Sequence, residues 1–367
     1  MIKILINGYY GFANTGDEAV LASIVRELTA AIPGVKLTVL SDQPEETAAA
    51  YQVRALNRWK GGTVWRALRE SDMFVFGGGS LLQDITGSKS LYYYLSQIIT
   101  ARLAGCRVFL YAQGIGPISQ QNRRRTASAL RRCHLITVRD QESADFLLDL
   151  GLPAAKIIVT ADPVLNAKFE DMPPPLPGGK KLGLALRPWP GLDLPALAAL
   201  ADQASAWGWQ VVLLPFHEPA DRKIAGELID KLKYPAYLPP DPISSGGMMA
   251  AIAELDFLLG MRLHSLIMAA AGGVPFAAIS YDPKIDSFCR QSAQPVLGPC
   301  INLGKDAGSN LSYLLENREA SRRRLQDRRQ NWQDLCQITA ILARETAFGN
   351  PDLNLDMARK QLEQNRY

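Results

Sequence analysis

Short apolar runs, each closing in glycine or polar residues, alternate along the chain with longer stretches that read as helices. The first run, residues 2–6, leads into the glycine-rich turn Gly8–Glu18 (GYYGFANTGDE), a helix to about Ala31 and a strand at Val35–Leu40. Asp72–Phe76 is the next clear strand and ends in Gly77-Gly78-Gly79-Ser80, followed by a polar loop with Gln83 and Asp84. Cys106–Ala112 closes in Gln113-Gly114-Ile115-Gly116-Pro117, Leu135–Val138 in Arg139-Asp140, and Ile157–Thr160 in Asp162-Pro163. Apolar strands that end in polar turns and pass into helices are the pattern of a parallel, Rossmann-like sheet.

The second half repeats this plan. Residues 171–181, DMPPPLPGGKK, break helix and strand alike and read as a linker. Beyond it come a strand at Lys181–Leu186, the turn Arg187–Gly191, a helix at Asp193–Trp207 and a strand at Gln210–Pro215 ending at His217. The stretch Leu255–Ser280 is a further strand–helix–strand unit, with Arg262, Leu263 and His264 where its first strand meets its helix. The expected architecture is α/β: two Rossmann-like lobes facing across a cleft, GT-B-like in layout. The lobes are expected at 1–170 and 182–333, on either side of the linker. After Ile301 the chain reads as helical and basic, and 334–367 as a terminal helical segment able to return to the first lobe.

Composition narrows the class. A chain of 367 residues suits two cores. With 47% hydrophobic and 21% charged residues it reads as globular, and no apolar run approaches the roughly 20 residues that span a bilayer. The opening MIKILINGYYGF lacks a signal-peptide core, so a cytoplasmic protein is expected. Five scattered cysteines show no metal-ligand spacing. The net charge of +4 is mild and predicts no nucleic-acid partner. The arginines cluster locally, at Arg123–Arg125 with Arg131 and Arg132, and again from Arg318 to Arg329. The second run is either a solvated helix face or a peripheral contact with the inner face of the cell membrane.

The candidate chemistry lies at the strand ends. The glycines of the first turn are not spaced as a dinucleotide fingerprint, and no cofactor is expected. The second lobe offers Arg187, Arg262, His264, His217 and Lys284, and Arg139 stands at the edge of the first. A helix N-terminus with an arginine fork and a histidine suits a small anion and a mobile proton. In the bland alternative His264 caps its helix and Arg262 makes a surface ion pair. The first lobe offers Asn14, Asp17, Gly78, Gly79, Asp84 and Gln113, which suit a hydroxyl-bearing acceptor, although Asn14 or Asp17 serves equally as a helix cap. No clustered carboxylates point to a metal ion.

Taken in order, GYYGFANTGDE, GGGSLLQD, QGIGP, Arg139-Asp140, Asp162-Pro163, MRLHSLIM and Tyr281–Lys284 resemble the polysaccharide pyruvyl transferase family, and within it the CsaB-like branch. The resemblance implies a GT-B-like fold and transfer of pyruvate from phosphoenolpyruvate to a sugar as a ketal, the acceptor being similar to a lipid-linked amino sugar of cell-wall or surface-glycan assembly. On that reading His264 is the general acid, with His217 the runner-up, and Asp17 the base. Arg139, Arg187, Arg262, Leu263, Lys284 and His217 hold the donor; Asn14, Gly78, Gly79, Asp84 and Gln113 hold the acceptor. Two other readings fit the same lobes: a nucleotide-sugar glycosyltransferase and a non-catalytic glycan- or anion-binding protein.

Overall fold

The computed structural model describes residues 1–85, 87–169 and 172–350. Residue 171 of the expected linker and residues 351–367 of the expected terminal segment lie outside the described residues. The chain forms two compact units. The first comprises Met1–Phe12, Val20–Asn166 and the chain from Asn331; the second comprises Ala13–Ala19 and Ala167–Gln330. The stretch expected as one unbroken N-terminal lobe is thus interrupted, because the start of its first helix belongs with the second unit.

The first unit holds strands β1 (Lys3–Asn7), β2 (Lys36–Ser41), β3 (Arg54–Asn57), β4 (Met73–Phe76), β5 (Gly79–Leu82), β6 (Arg107–Ile115), β7 (Leu135–Val138) and β8 (Ile157–Val159). Its helices are α1 (Thr15–Ala31), whose opening residues join the other unit, α2 (Pro44–Tyr51), α3 (Gly61–Arg69), α4 (Ser88–Leu103), α5 (Gln120–Leu130) and α6 (Gln141–Asp149). The strands pair in parallel in the order β3-β2-β1-β4-β6-β7-β8, with β5 also on β6.

The second unit has strands β9 (Lys180–Ala185), β10 (Trp209–Leu213), β11 (Ala236–Tyr237), β12 (Phe257–Gly260), β13 (Phe276–Ser280) and β14 (Val296–Pro299). All are parallel, in the order β11-β10-β9-β12-β13-β14. Helices α7 (Leu194–Ala206), α8 (Ala220–Ile229), α9 (Ser245–Ala253), α10 (Leu263–Gly272), α11 (Pro283–Ser292) and α12 (Ala307–Glu316) accompany them. The long α13 (Arg318–Phe348) begins in this unit and ends in the first.

In both sheets the strand order reverses beside the first strand, as in a Rossmann fold, and ligands of such sheets bind at the carboxyl edge of that reversal. Here the reversals fall between β1 and β4 and between β9 and β12. The central strands are buried along their whole length (β4 and β12 throughout), which is why they read as unbroken apolar runs. Each sheet has its own core, one including Phe74, Phe76, Leu110 and Ile136, the other Leu184, Leu213, Phe257 and Ile279.

Candidate active site

In the second unit, Arg187 follows β9, and Arg262 is the N-cap of α10 immediately after β12. Arg262 is engaged with Asp221: its Nε donates to Oδ2 at 2.9 Å and an Nη donates to Oδ1. Asp221 is 1% exposed, and Oδ2 also accepts the backbone N–H groups of Phe216 (3.1 Å) and His217 (3.0 Å). One buried carboxylate therefore ties the turn after β10 to the cap of α10 and fixes the guanidinium plane. Two of its three nitrogens, on one edge of the guanidinium, face Asp221.

His264, the second residue of α10, lies against Gly16. A Cβ at Gly16 would stand 2.3 Å from the imidazole Nδ1. The segment around Gly16 is stitched to the same turn: Thr15 N–H donates to the Phe216 carbonyl at 2.9 Å, and Asn14 pairs with His217 in an antiparallel bridge. The Asn14 Oδ1 accepts from Gly16 N–H at 3.1 Å, so Asn14 does start α1. Asp17 sits in the first turn of α1, buried. Asn14, Asp17, His217, Arg262 and His264 are therefore brought together within one unit. The N-termini of α1 and α10 meet there, each favouring negative charge.

Arg187 borders this group. Its Nη1 donates to the Tyr281 hydroxyl at 2.8 Å, and its guanidinium lies 5.0 Å from the Tyr281 ring centre and 5.6 Å from that of Trp189. Burial pushes the Tyr281 hydroxyl above its ordinary pKa against the opposing charges of Arg187 and Arg262, so it stays a neutral donor. Lys284 is the second residue of α11, whose N-cap Asp282 accepts the Lys284 N–H at 3.0 Å. Leu263 opens α10, half-buried between Arg262 and His264.

The first unit carries the other expected residues at the carboxyl ends of β4, β5, β6 and β7. Gly78 packs so closely that a Cβ would stand 2.8 Å from Val20, and Gly79 has a φ of +91°. Gln113 is fully buried and donates from Nε2 to the Gly77 carbonyl. Asp84 is committed elsewhere: its carboxylate accepts from Ser119 N–H at 2.9 and 3.1 Å, from the Ser119 hydroxyl and from Asn122 Nδ2 at 2.7 Å. Burial is the largest single influence and raises its pKa, but the hydrogen bonds from Ser119 and Asn122 together outweigh it and hold the carboxyl below its ordinary value. This carboxylate fastens the start of α5. Arg139, 7% exposed, is held by Asp162 Oδ2 at 2.9 Å and by the Ser80 hydroxyl at 2.8 Å.

Two groups escaped sequence reasoning. One is Asp221. The other surrounds Arg58, a buried arginine whose Nη1 donates to the Gly8 carbonyl at 2.6 Å and whose guanidinium lies 5.2 and 4.9 Å from the ring centres of Phe12 and Tyr93. Phe12 stacks on Tyr9 at 4.2 Å, and the exposed Trp59 donates its indole N–H to Asp42 at 2.6 Å. His134 serves the fold: its Nδ1 accepts the Val108 N–H at 2.9 Å, and burial, then the charge of Arg102, lowers its pKa to about 4. A cavity of about 930 Å³ lined by Lys3, Lys36, Arg54 and Ser71 opens at the amino edge of the first sheet, away from these strand ends.

Two parallel sheets in Rossmann order, with cations and a histidine at the carboxyl edge of the second, define an α/β protein of the GT-B class. Its solved neighbours are similar in fold. A UDP-GlcNAc 2-epimerase from Neisseria meningitidis bound to UDP-GlcNAc is 14% identical at TM-score 0.61, covering 95% of this chain and 100% of its own. MnaA from S. aureus with UDP is 11% identical at TM-score 0.65 (96% and 98%), and Anabaena HepE with UDP and glucose is 13% identical at 0.62 (95% and 100%). No curated protein matches the sequence. The family model for polysaccharide pyruvyl transferase matches residues 14–283, and the chain belongs to that family. It is a transferase.

Proposed function

We propose that the protein transfers the enolpyruvyl group of phosphoenolpyruvate to a lipid-linked sugar, closing it as a pyruvate ketal and releasing phosphate, with His264 as the acid. The observation that carries this reading is the gathering of Arg262, His264, Asn14 and Asp17 around one turn, with the imidazole seated on Gly16. The donor bears phosphate and carboxylate on a three-carbon frame. Arg262, Arg187 and Lys284 at the strand ends suit its charge, with Leu263 and His217 lining the same edge.

In the reaction, His264 gives a proton to the methylene carbon, which becomes the methyl group. The adjacent carbon takes up positive charge and is attacked by a sugar hydroxyl, whose proton passes to Asp17. Loss of phosphate, which leaves with the proton held by Asp17, reopens that carbon to a second hydroxyl of the same sugar; this hydroxyl closes the ketal and its proton restores His264. General acid–base help of this kind contributes about 10²–10⁴-fold. For the acceptor, the first unit offers the glycine edge at Gly78 and Gly79 with the buried Gln113, and the second offers Asn14. The rings of Phe12 and Trp59 near Arg58 suit the apolar face of a sugar. The protein is expected in the cytoplasm, where phosphoenolpyruvate is made.

The bound nucleotides of the solved neighbours favour a second reading, transfer from a nucleotide sugar. Thermal-shift titration separates the two. Stabilisation by phosphoenolpyruvate with no response to UDP supports pyruvyl transfer, and the reverse response overturns it.

A further inference from the structure

From Ile85 to Arg139 the chain has no Asp or Glu and nine Lys or Arg. This stretch builds α4 and α5, which run side by side in the first unit. Asn122 Nδ2 donates to the Ser88 hydroxyl at 3.0 Å, Tyr92 donates its hydroxyl proton to Asn122 Oδ1 at 2.7 Å, and Arg125 Nη1 donates to the Tyr92 oxygen at 2.8 Å. These contacts fasten the first turns of the two helices together.

The two helices turn unlike faces outward. Along α4 the exposed residues are Lys89, Ser90, Tyr92, Ser96, Ile99 and Leu103, all but Ser90 spaced three and four apart and so on one stripe. Leu103 is 73% exposed, and Ile85, just before the helix, 62%. Along α5 the exposed residues include Arg124, Arg125, Ser128, Arg131 and Arg132. Among the described residues none of these four arginines meets a carboxylate. Arg125 reaches Tyr92, Arg131 the Gly151 carbonyl at 3.2 Å, and Arg132 the Ser128 carbonyl at 2.5 Å. The next helix along the sheet, α6, carries Glu142, Asp145 and Asp149, of which Asp149 pairs with Arg123.

We propose that this face of the first unit docks on the surface of an anionic lipid bilayer, the arginine row of α5 meeting headgroups and the Tyr92–Ile99–Leu103 stripe entering the boundary. An apolar stripe beside unmatched cations is the make-up of an interfacial surface. A second copy of the chain fits it poorly, because α4 and α5 carry no acid of their own and the carboxylates at their border, Asp84 and Asp149, are engaged by Ser119 and Asn122 and by Arg123. No helix among the described residues is long and apolar enough to cross a membrane, so the contact is peripheral. The arginines from 318 onward are less suited to this role: Arg324 and Arg328 donate to the Ala293 and Gln291 carbonyls at the end of α11, and Arg322 faces Glu319. The proposal extends the pyruvyl-transfer reading, since a lipid-linked acceptor presents its sugar at such a surface.

The test is co-sedimentation of the full chain with vesicles of phosphatidylcholine alone and with about one-third phosphatidylglycerol. Each basic residue near an anionic surface is worth about fivefold in partitioning. The wild type is expected to bind the anionic vesicles in a salt-sensitive way. The triple variant Arg124→Gln/Arg125→Gln/Arg132→Gln is expected to bind about a hundredfold more weakly, and Ile99→Ser/Leu103→Ser to lose the salt-resistant remainder. Unchanged melting temperature and unchanged phosphate release with a soluble sugar acceptor show that the variants are intact. Equal binding by wild type and triple variant, no binding by either, or a wild-type dimer that the triple variant dissolves would overturn the proposal. Vesicle binding without any phosphoenolpyruvate-dependent transfer would instead count against the catalytic reading and leave this surface standing.

Discussion

Replacing Gly16 by alanine probes the contact on which the catalytic reading depends. Gly16 has an ordinary helical backbone, so alanine meets no torsional strain there; the obstacle is the imidazole. The new methyl would stand 2.3 Å from Nδ1, 2.6 Å from Cγ and 2.7 Å from Cβ of His264. Non-bonded heavy atoms settle at about 3.5–4.0 Å, so the pair has to part by roughly 1 Å. The third distance is to the root of the side chain, and rotation of the ring alone does not relieve it. Overpacking of this kind costs about 1–3 kcal/mol. A displacement of about 1 Å at an acid costs on the order of 100-fold in turnover.

The assay is steady-state phosphate release with phosphoenolpyruvate and acceptor, beside a thermal melt. Gly62→Ala, whose Cβ meets open space, serves as the control. We expect kcat to fall about 100-fold in Gly16→Ala, with a smaller change in the KM for phosphoenolpyruvate. Adding His264→Ala should restore the melting temperature only in part, because the clashes with Nδ1 and Cγ go with the ring while the 2.7 Å contact to Cβ stays. A folded Gly16→Ala enzyme within threefold of wild-type kcat would refute the placement of His264 as the acid.

Three further outcomes follow from the buried charges. Asp221→Asn leaves Arg262 without its counter-charge in a buried setting, so stability should fall by about 3–5 kcal/mol in denaturant titration, with a raised KM for phosphoenolpyruvate. Arg139→Ala removes the guanidinium paired with the buried Asp162 and should destabilise by a similar amount in the same titration. Glu27 governs the pH dependence: burial, against hydrogen bonds from Tyr111 and Asn166, raises its carboxyl from 4.5 to about 7. The folded state holds that proton more tightly than the unfolded chain, so about 3 kcal/mol of stability present below pH 4.5 is lost as pH rises to about 7. His134, lowered to about 4, contributes stability that is lost as pH falls from about 6.5. The two slopes oppose each other, and Glu27→Gln should expose the histidine's as a steady loss on acidification that the wild type lacks.

What was legible in the sequence was the set of buried parallel strands and the residues at their carboxyl ends, because strands buried on both faces leave unbroken apolar runs. β7 was read residue for residue at Leu135–Val138. β3 and β14 are not legible: Arg54–Asn57 (RALN), polar at both ends, and the Gly298-Pro299 ending of β14 carry no such run. Asp84 looked like a free polar loop residue, and only tertiary structure brings Ser119 and Asn122 onto its carboxylate. The attachment of Asn14 and Thr15 to Phe216 and His217 is likewise invisible in the chain order, as are Asp221 beneath Arg262 and the rings around Arg58. Local pattern locates strand ends; which ends share a turn is decided by long-range pairing.

The most direct test of the account is mass spectrometry of lipid-linked sugars incubated with the protein and phosphoenolpyruvate. The account predicts a sugar carrying one pyruvate ketal, formed with an equal amount of phosphate and abolished by His264→Ala. A sugar left unchanged by phosphoenolpyruvate but extended from a UDP-sugar would contradict it.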